Sequence, residues 1–244
     1  MSVEVERKFV CDANIQDKLR EIGAVCVGQC QFEDKYFDTP AHHLTLRDVW
    51  LRCRQGSWEL KCPTQESGNP ELGLCSRYRE ITSLPEIIAK VEAVIKESSG
   101  DEKHDTEQAE EQKKADRYDQ RAATEMKPGK KESGEGGFPS WLGKLNLLPF
   151  AVFTTNRCSF RLDGDTDLGG VRVDLDQADF GFCIGEIEVL VPDGEEMHSA
   201  LEKIERTAHR LGLSGDKRVP GKMNVYLQRY CPEHFKELFN ANIL

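Results

Sequence analysis

Charged residues recur at alternate positions in this sequence, often in strings of one sign. Glu4, Glu6 and Lys8 alternate with Val3, Val5 and Phe9 on the other parity. Arg52 and Arg54 flank Cys53, Glu59 and Lys61 flank Leu60, and Glu186 and Glu188 flank Ile187. Tyr78 and Glu80 repeat the spacing, as do Arg157, Ser159 and Arg161, and then Arg172, Asp174 and Asp176. Side chains alternate faces along a strand, so each set shares one face. The charged face of an antiparallel sheet ordinarily points at water. Solvated faces, however, usually mix Thr, Ser, Gln and Lys, whereas these are runs of Glu or runs of Arg. If the sheet closes into a barrel, the charged faces point inward together, and every charge then needs a partner. Clustered Arg and Lys suit phosphate oxygens. Clustered Glu and Asp suit a hard cation such as Mg²⁺ or Mn²⁺. The combination reads as a site for a metal-bound polyphosphate. Neither a Walker loop nor a G-x-S-x-G elbow is present, which excludes the P-loop and nucleophile-elbow solutions.

The elements that position these residues are mostly strands. They are expected over 4–10, 25–38, 50–54, 58–61, 74–82, 150–162, 171–176 and 182–191. Gln55, Gly56 and Ser57 form a hairpin turn between the third and fourth. Short connections point to an antiparallel sheet or barrel with peripheral helices, an α+β fold. Helices are expected over 12–21, with Ile15, Leu19 and Ile22 on one face, and from Leu84, with Ile88, Val91 and Ile95. Further helices are expected over 195–211, closed by Gly212, and over 221–230 and 232–239.

The 244 residues carry a net charge of −10, with a pI near 5.2 and a mean hydropathy of −0.57. An acidic surface argues against nucleic acid or an anionic membrane as partner. No apolar run is long enough to span a bilayer, and the charged, alternating start is unlike a signal peptide. Residues 97–137 contain no Val, Ile, Leu, Phe or Trp and hold 20 charges, twelve acidic and eight basic. That stretch reads as a low-complexity, disordered insertion interrupting a single domain spanning 1–244, with a solvated helix conceivable over 108–124. Nine cysteines, none spaced C-x-x-C, read as reduced cytoplasmic thiols rather than zinc ligands. Cys53 and Cys62 are expected to pack, and His42 and His43 to be solvent-exposed in a loop.

Taken together, the motifs resemble one family. Glu4-Val5-Glu6-Arg7-Lys8 is an E-x-E-x-K motif near the N-terminus. It is followed by Trp50-Leu51-Arg52-Cys53-Arg54, Trp58-Glu59-Leu60-Lys61, Arg157, Asp174 and Gly185-Glu186-Ile187-Glu188-Val189. The order resembles the CYTH superfamily, the triphosphate tunnel metalloenzymes, over nearly the whole chain outside the insertion. Tyr36-Phe37-Asp38-Thr39-Pro40 and Val225-Tyr226-Leu227-Gln228-Arg229, with the run from Arg172 to Gly181, are similar to members that hydrolyse thiamine triphosphate.

The resemblance implies an eight-stranded antiparallel closed barrel with a Mg²⁺-dependent site inside, acting as a cytoplasmic monomer. It assigns Glu4, Glu6, Asp174, Glu186 and Glu188 to the metal. It assigns Lys8, Arg52, Arg54, Arg157 and Lys222 to phosphate, and Lys61 with Tyr36 to activating or orienting water. A lysine among cations would have a depressed pKa and could take a proton. The alternatives are a third phosphate ligand for Lys61 and a barrel-lining ring for Tyr36. Glu80 fits either metal binding or neutralising an arginine. Trp50 suits the cationic thiazolium of thiamine, or is a mouth-lining or core tryptophan. Two other functions fit the same residues: a tunnel triphosphatase acting on inorganic triphosphate or a nucleotide, and a non-catalytic polyphosphate-binding module.

Overall fold

The structure is a computed structural model, and it describes residues 2–64, 74–101, 139–163, 168–192, 197–213 and 218–244. Eight strands form the body: β1 (Ser2–Phe9), β2 (Val25–Asp38), β3 (Trp50–Arg54), β4 (Ser57–Pro63), β5 (Cys75–Ile81), β6 (Leu148–Leu162), β7 (Val171–Ala178) and β8 (Phe182–Pro192). All pair antiparallel and close a barrel in the order β1-β5-β4-β3-β2-β6-β7-β8. The β3–β4 hairpin turns on Gln55 and Gly56, both at positive φ (48° and 86°), the backbone that a two-residue hairpin demands. Every expected strand is present: β2 and β3 have the expected bounds, β5 is two residues shorter, and the other five are one to three residues longer.

The six described helices are α1 (Ile15–Glu21), α2 (Leu84–Asp101), α3 (Ser140–Lys144), α4 (Met197–Arg210), α5 (Lys222–Tyr230) and α6 (Pro232–Asn240). Among the described residues, no helix is long and apolar enough to cross a membrane. The short α3 was not foreseen; it follows Pro139 and buries Leu142. The inward face of α2 is Ile87, Val91 and Val94 rather than Ile88, Val91 and Ile95. The helix also continues past the expected start of the insertion at 97: Ser98 is buried and donates to Val94 O at 2.9 Å. The remainder of the insertion, with the helix conceived over 108–124, lies outside the described residues.

Most of the buried apolar side chains lie on the outside of the barrel, under the helices. One cluster joins α1 and α4 to β1, β6, β7 and β8, with Val5, Phe9, Leu19, Phe160, Ile187 and Ile204 at its centre. The other joins α2 and α3 to the outer faces of β2, β3 and β4 through Phe37, Leu51, Leu60, Val91 and Leu142. Cys62 is buried in this second cluster and Cys53 packs against it, as expected. Burying such side chains is worth about 1.5–3 kcal/mol each, so the helices hold the barrel from outside and leave its interior free for charge.

One glycine sets the β1–β8 seam. A Cβ on Gly185 would sit 2.0 Å from Phe9 Cζ, so only glycine lets that ring lie flat on the strand. The contact fixes Phe9 opposite Gly185, and therefore Lys8 opposite Glu186 and Glu6 opposite Glu188.

Candidate active site

Strand parity sends the charged sets into the barrel. In register, Arg157 faces Asp176, Asp174 faces Glu186, Lys8 faces Glu186, Arg52 faces Glu59 and Lys61 faces Glu80. Two ends can be told apart. A cavity of about 670 Å³ opens where β2 begins and β6 ends, lined by Gly28, Cys30, Ser159, Arg161, Arg172 and Glu188. The opposite end holds Trp50 at the start of β3 and Lys222 at the start of α5. There Gly221 allows close approach, since a Cβ would lie 3.1 Å from Lys8 Cε.

The predicted bases and acids are engaged with one another. Arg157 grips Asp176 bidentately at 2.6 Å on both arms and reaches Glu186 at 3.0 Å. It also pairs with Asp174, whose Oδ2 lies against the guanidinium without accepting a hydrogen bond. Lys222 pairs with Asp176 and, at 3.2 Å, with Glu186. Lys8 pairs with Glu6, and Lys61 with Glu4 and, at 3.4 Å, Glu80. Arg52 donates to Glu59 at 2.7 Å and to Glu80 at 3.5 Å. Arg54 holds Asp34 bidentately at 2.7 and 2.9 Å, and its guanidinium lies 3.9 Å from the Phe32 ring centroid.

These contacts set the protonation states. Burial alone would lower the Lys61 pKa, but the carboxylates of Glu4, Glu6 and Glu80 raise it well above the ordinary lysine value. The depressed pKa expected for Lys61 is therefore not found, because its nearest charged neighbours are acids rather than bases. Lys8 is raised for the same reason, burial being outweighed by Glu6 and Glu186. Burial would raise Glu186, yet Lys222, Lys8 and Arg157 hold it far below the carboxylate range. Glu6 is also lowered, by Lys8 and Lys61 against its burial. Glu4 goes the other way, raised by burial despite Lys61. Glu188 is pushed up to about 7, first by burial and then by the Glu4 charge.

Tyr36 lies across from Arg52 in the β2–β3 register, with its ring stacked on Phe153 at 5.8 Å. It lines the barrel, a position compatible with either expected role. Glu80 bridges Arg52 and Lys61, so it neutralises cations in this arrangement. Sequence reasoning passed over Asp34, Asp48 and Asp176 as site residues. Parity with Tyr36 and Asp174 could have found the first and last, whereas Asp48 lies in a turn, where parity gives no signal. His42 is corrected from exposed to buried, and His43 to half-buried with both ring nitrogens covered. His42 stacks on His234 at 3.6 Å and pairs with Glu237 at 2.7 Å, contacts made by a helix nearly two hundred residues away.

A hard divalent cation suits the donor set: Glu4, Glu6, Asp174, Glu186 and Glu188 all sit on the inner wall. No three described His, Cys, Asp or Glu residues converge on one point as a ready-made ligand cluster. The carboxylates are mostly occupied by lysine and arginine. Among the described residues Glu188 has no ion-pair partner, and burial first, then the Glu4 charge, raises its pKa. A bound cation would offset both the lost hydration and the neighbouring negative charge.

Three comparisons bear on the chain as a whole. The CYTH domain profile matches residues 2–221. A thiamine-triphosphatase of Homo sapiens is 34% identical over 98% of this chain and 90% of its own. One of Macaca fascicularis is 33% identical over the same shares. Among solved structures, the PH1819 protein from Pyrococcus horikoshii OT3 superposes with a TM-score of 0.53 at 19% identity, covering 93% of this chain and 99% of that one. The last of these shows the shared fold alone.

Proposed function

The chain belongs to the CYTH domain family, and from that premise we propose that it hydrolyses thiamine triphosphate to thiamine diphosphate and phosphate inside the barrel. The observation that carries this reading is the likeness to two thiamine-triphosphatases over nearly the whole chain. The tunnel's chemistry supports it. Phosphoryl transfer demands positioning and charge neutralisation more than covalent chemistry. Lys8, Arg52, Arg54, Arg157 and Lys222 supply cations for a triphosphate. Each is now paired with a carboxylate, so an incoming polyphosphate exchanges one set of ion pairs for another in a site already built for them.

In this reading Lys61 and Tyr36 are the catalytic residues. Protonated Lys61 neutralises charge that develops on the transferred phosphoryl group. Tyr36, beside Arg52, presents a hydroxyl that orients the attacking water. Mg²⁺ held by Glu4, Glu6, Asp174, Glu186 and Glu188 would, when bound, neutralise phosphate oxygens and polarise the phosphoryl group. Trp50 faces the thiazolium. The enzyme acts as a cytoplasmic monomer.

A substrate panel tests the proposal. Phosphate release is measured from thiamine triphosphate, inorganic tripolyphosphate and ATP, with Mg²⁺ and with EDTA. Thiamine triphosphate with Mg²⁺ is expected to turn over fastest. Equal or faster release from either of the others would make this a less selective tunnel triphosphatase. Binding without any release would make it a polyphosphate-binding module.

A further inference from the structure

Between Asp38, where β2 ends, and Trp50, where β3 begins, the chain makes a turn of 3₁₀ helix, Thr45–Arg47. Asp48 ends it at φ 57°, a left-handed conformation that costs a non-glycine residue on the order of 1 kcal/mol or more. That conformation places the carboxylate between two inward-facing side chains. The Trp50 indole Nε1–H donates to Asp48 Oδ1 at 2.8 Å. The Tyr78 hydroxyl donates to the same carboxylate at 3.0 and 3.2 Å. Both neighbours donate, which is the pattern an ionised carboxylate satisfies. No described aromatic ring or cation is stacked on the Trp50 indole.

We propose that Asp48 is a positioning and specificity residue, setting Trp50 and supplying negative charge so that this end of the tunnel selects a triphosphate bearing an organic cation. The proposal deepens the functional reading above and rests on it. A hydrogen bond from the indole N–H to an anion fixes the ring plane and pushes electron density into its π system. A cation over the ring face is then held more strongly. The carboxylate charge acts on the same cation directly, in surroundings drier than bulk water. Inorganic tripolyphosphate has no cationic group to gain from either effect, and the carboxylate's repulsion of phosphate is common to both compounds. The tunnel's bases grip the phosphates of both compounds alike, so Asp48 acts on the difference between them.

Asp48→Asn tests this in the full-length chain with Mg²⁺, because it keeps an acceptor oxygen and removes the charge. Two constants are measured: KM for thiamine triphosphate, and the inhibition constant of inorganic tripolyphosphate. The expected result is a KM raised about tenfold, with kcat and the tripolyphosphate constant within about twofold of wild type. Asp48→Glu should recover part of the loss. Trp50→Leu should raise KM similarly, and adding Asp48→Asn to it should cost less than it does in wild type, because the part of the effect that acts through the ring is already gone. Equal weakening of both compounds would make Asp48 a structural residue and overturn the proposal. Full additivity in the double variant would overturn the positioning role through Trp50. If the wild type released no phosphate from thiamine triphosphate, the functional reading would fail. Asp48 would then be judged by binding alone, and a thermal shift equally weakened for the two compounds would sink it too.

Discussion

Glu186 and Glu188 lie two residues apart on the same face of the same strand, about 7 Å from one another, yet their surroundings differ in sign. Around Glu186 stand Lys222, Lys8 and Arg157, and its pKa is driven far down. Around Glu188 burial is not offset by a close cation, the effect of Glu4 outweighs that of Arg172, and its pKa is driven up to about 7. The tunnel is therefore not a uniform mixture of charges. Its inner end is rich in cations, suited to phosphate oxygens. The wall toward the mouth holds carboxylate that the bases do not fully neutralise, suited to a metal. One strand carries both environments because the Phe9–Gly185 contact fixes which residues of β1 face which residues of β8.

The largest effect expected from breaking this polarity is at Lys61, which touches both environments through Glu4, Glu80 and its closeness to Glu6. Lys61→Ala should lower kcat for thiamine triphosphate by about 10²–10³, the scale of losing one electrostatic contact to the transition state. Lys61→Arg should retain part of it, because the charge is kept. A rise in KM alone, with kcat intact, would reassign Lys61 to uniform substrate binding.

The two glutamates themselves give the next test. In EDTA, Glu188 favours folding in its protonated form. Its contribution is full below the unfolded carboxylate value of 4.5 and is lost as pH rises through about 7. Glu188→Gln, always neutral, should therefore gain about 2–4 °C in melting temperature relative to wild type between pH 5 and pH 8. Glu186, whose pKa is depressed, should do the reverse: Glu186→Gln removes stability present above 4.5 and lost toward acid. Parallel melting curves for both variants would show that the two environments are not distinct. His234, held neutral by burial and His42 with a pKa of about 3, loses its contribution as pH falls below 6.5. It is unchanged in both variants and cancels in the comparison.

Residues outside both environments should matter least. Removing 104–136 leaves α2 and α3 anchored on the second apolar cluster through Val91, Val94 and Leu142. Activity is expected within about twofold of wild type, since loop length costs only logarithmically. Loss of folding would show that the segment belongs to the domain.

Much of this is legible in the amino-acid sequence. The period-two alternation of Glu4 with Glu6, Arg52 with Arg54, and Glu186 with Glu188 specified strands and the face each charge takes. What alternation cannot carry is which face meets which across the barrel. The charge state of Lys61 depends on Glu4, 57 residues away, and a linear reading surrounded it with cations instead. The inward face of α2 slipped by one position, because Ile87, Ile88, Val94 and Ile95 leave two apolar stripes for tertiary packing to choose between. Asp48 and the stacked His42 and His234 sit in or against a turn, where side-chain direction follows local dihedrals rather than any period.

The seam that holds Glu6 beside Glu188 also orders events during synthesis. Of these eight strands β1 is synthesised first, and β8, the partner on one of its two edges, is synthesised last. At about 5–20 residues per second, β1 waits on the order of ten seconds or more for that partner. An edge of a strand left open that long is a template for aggregation unless charge discourages it. Glu4, Glu6, Arg7 and Lys8 supply that charge in the nascent chain, so the residues that later line the tunnel first keep its opening strand in solution.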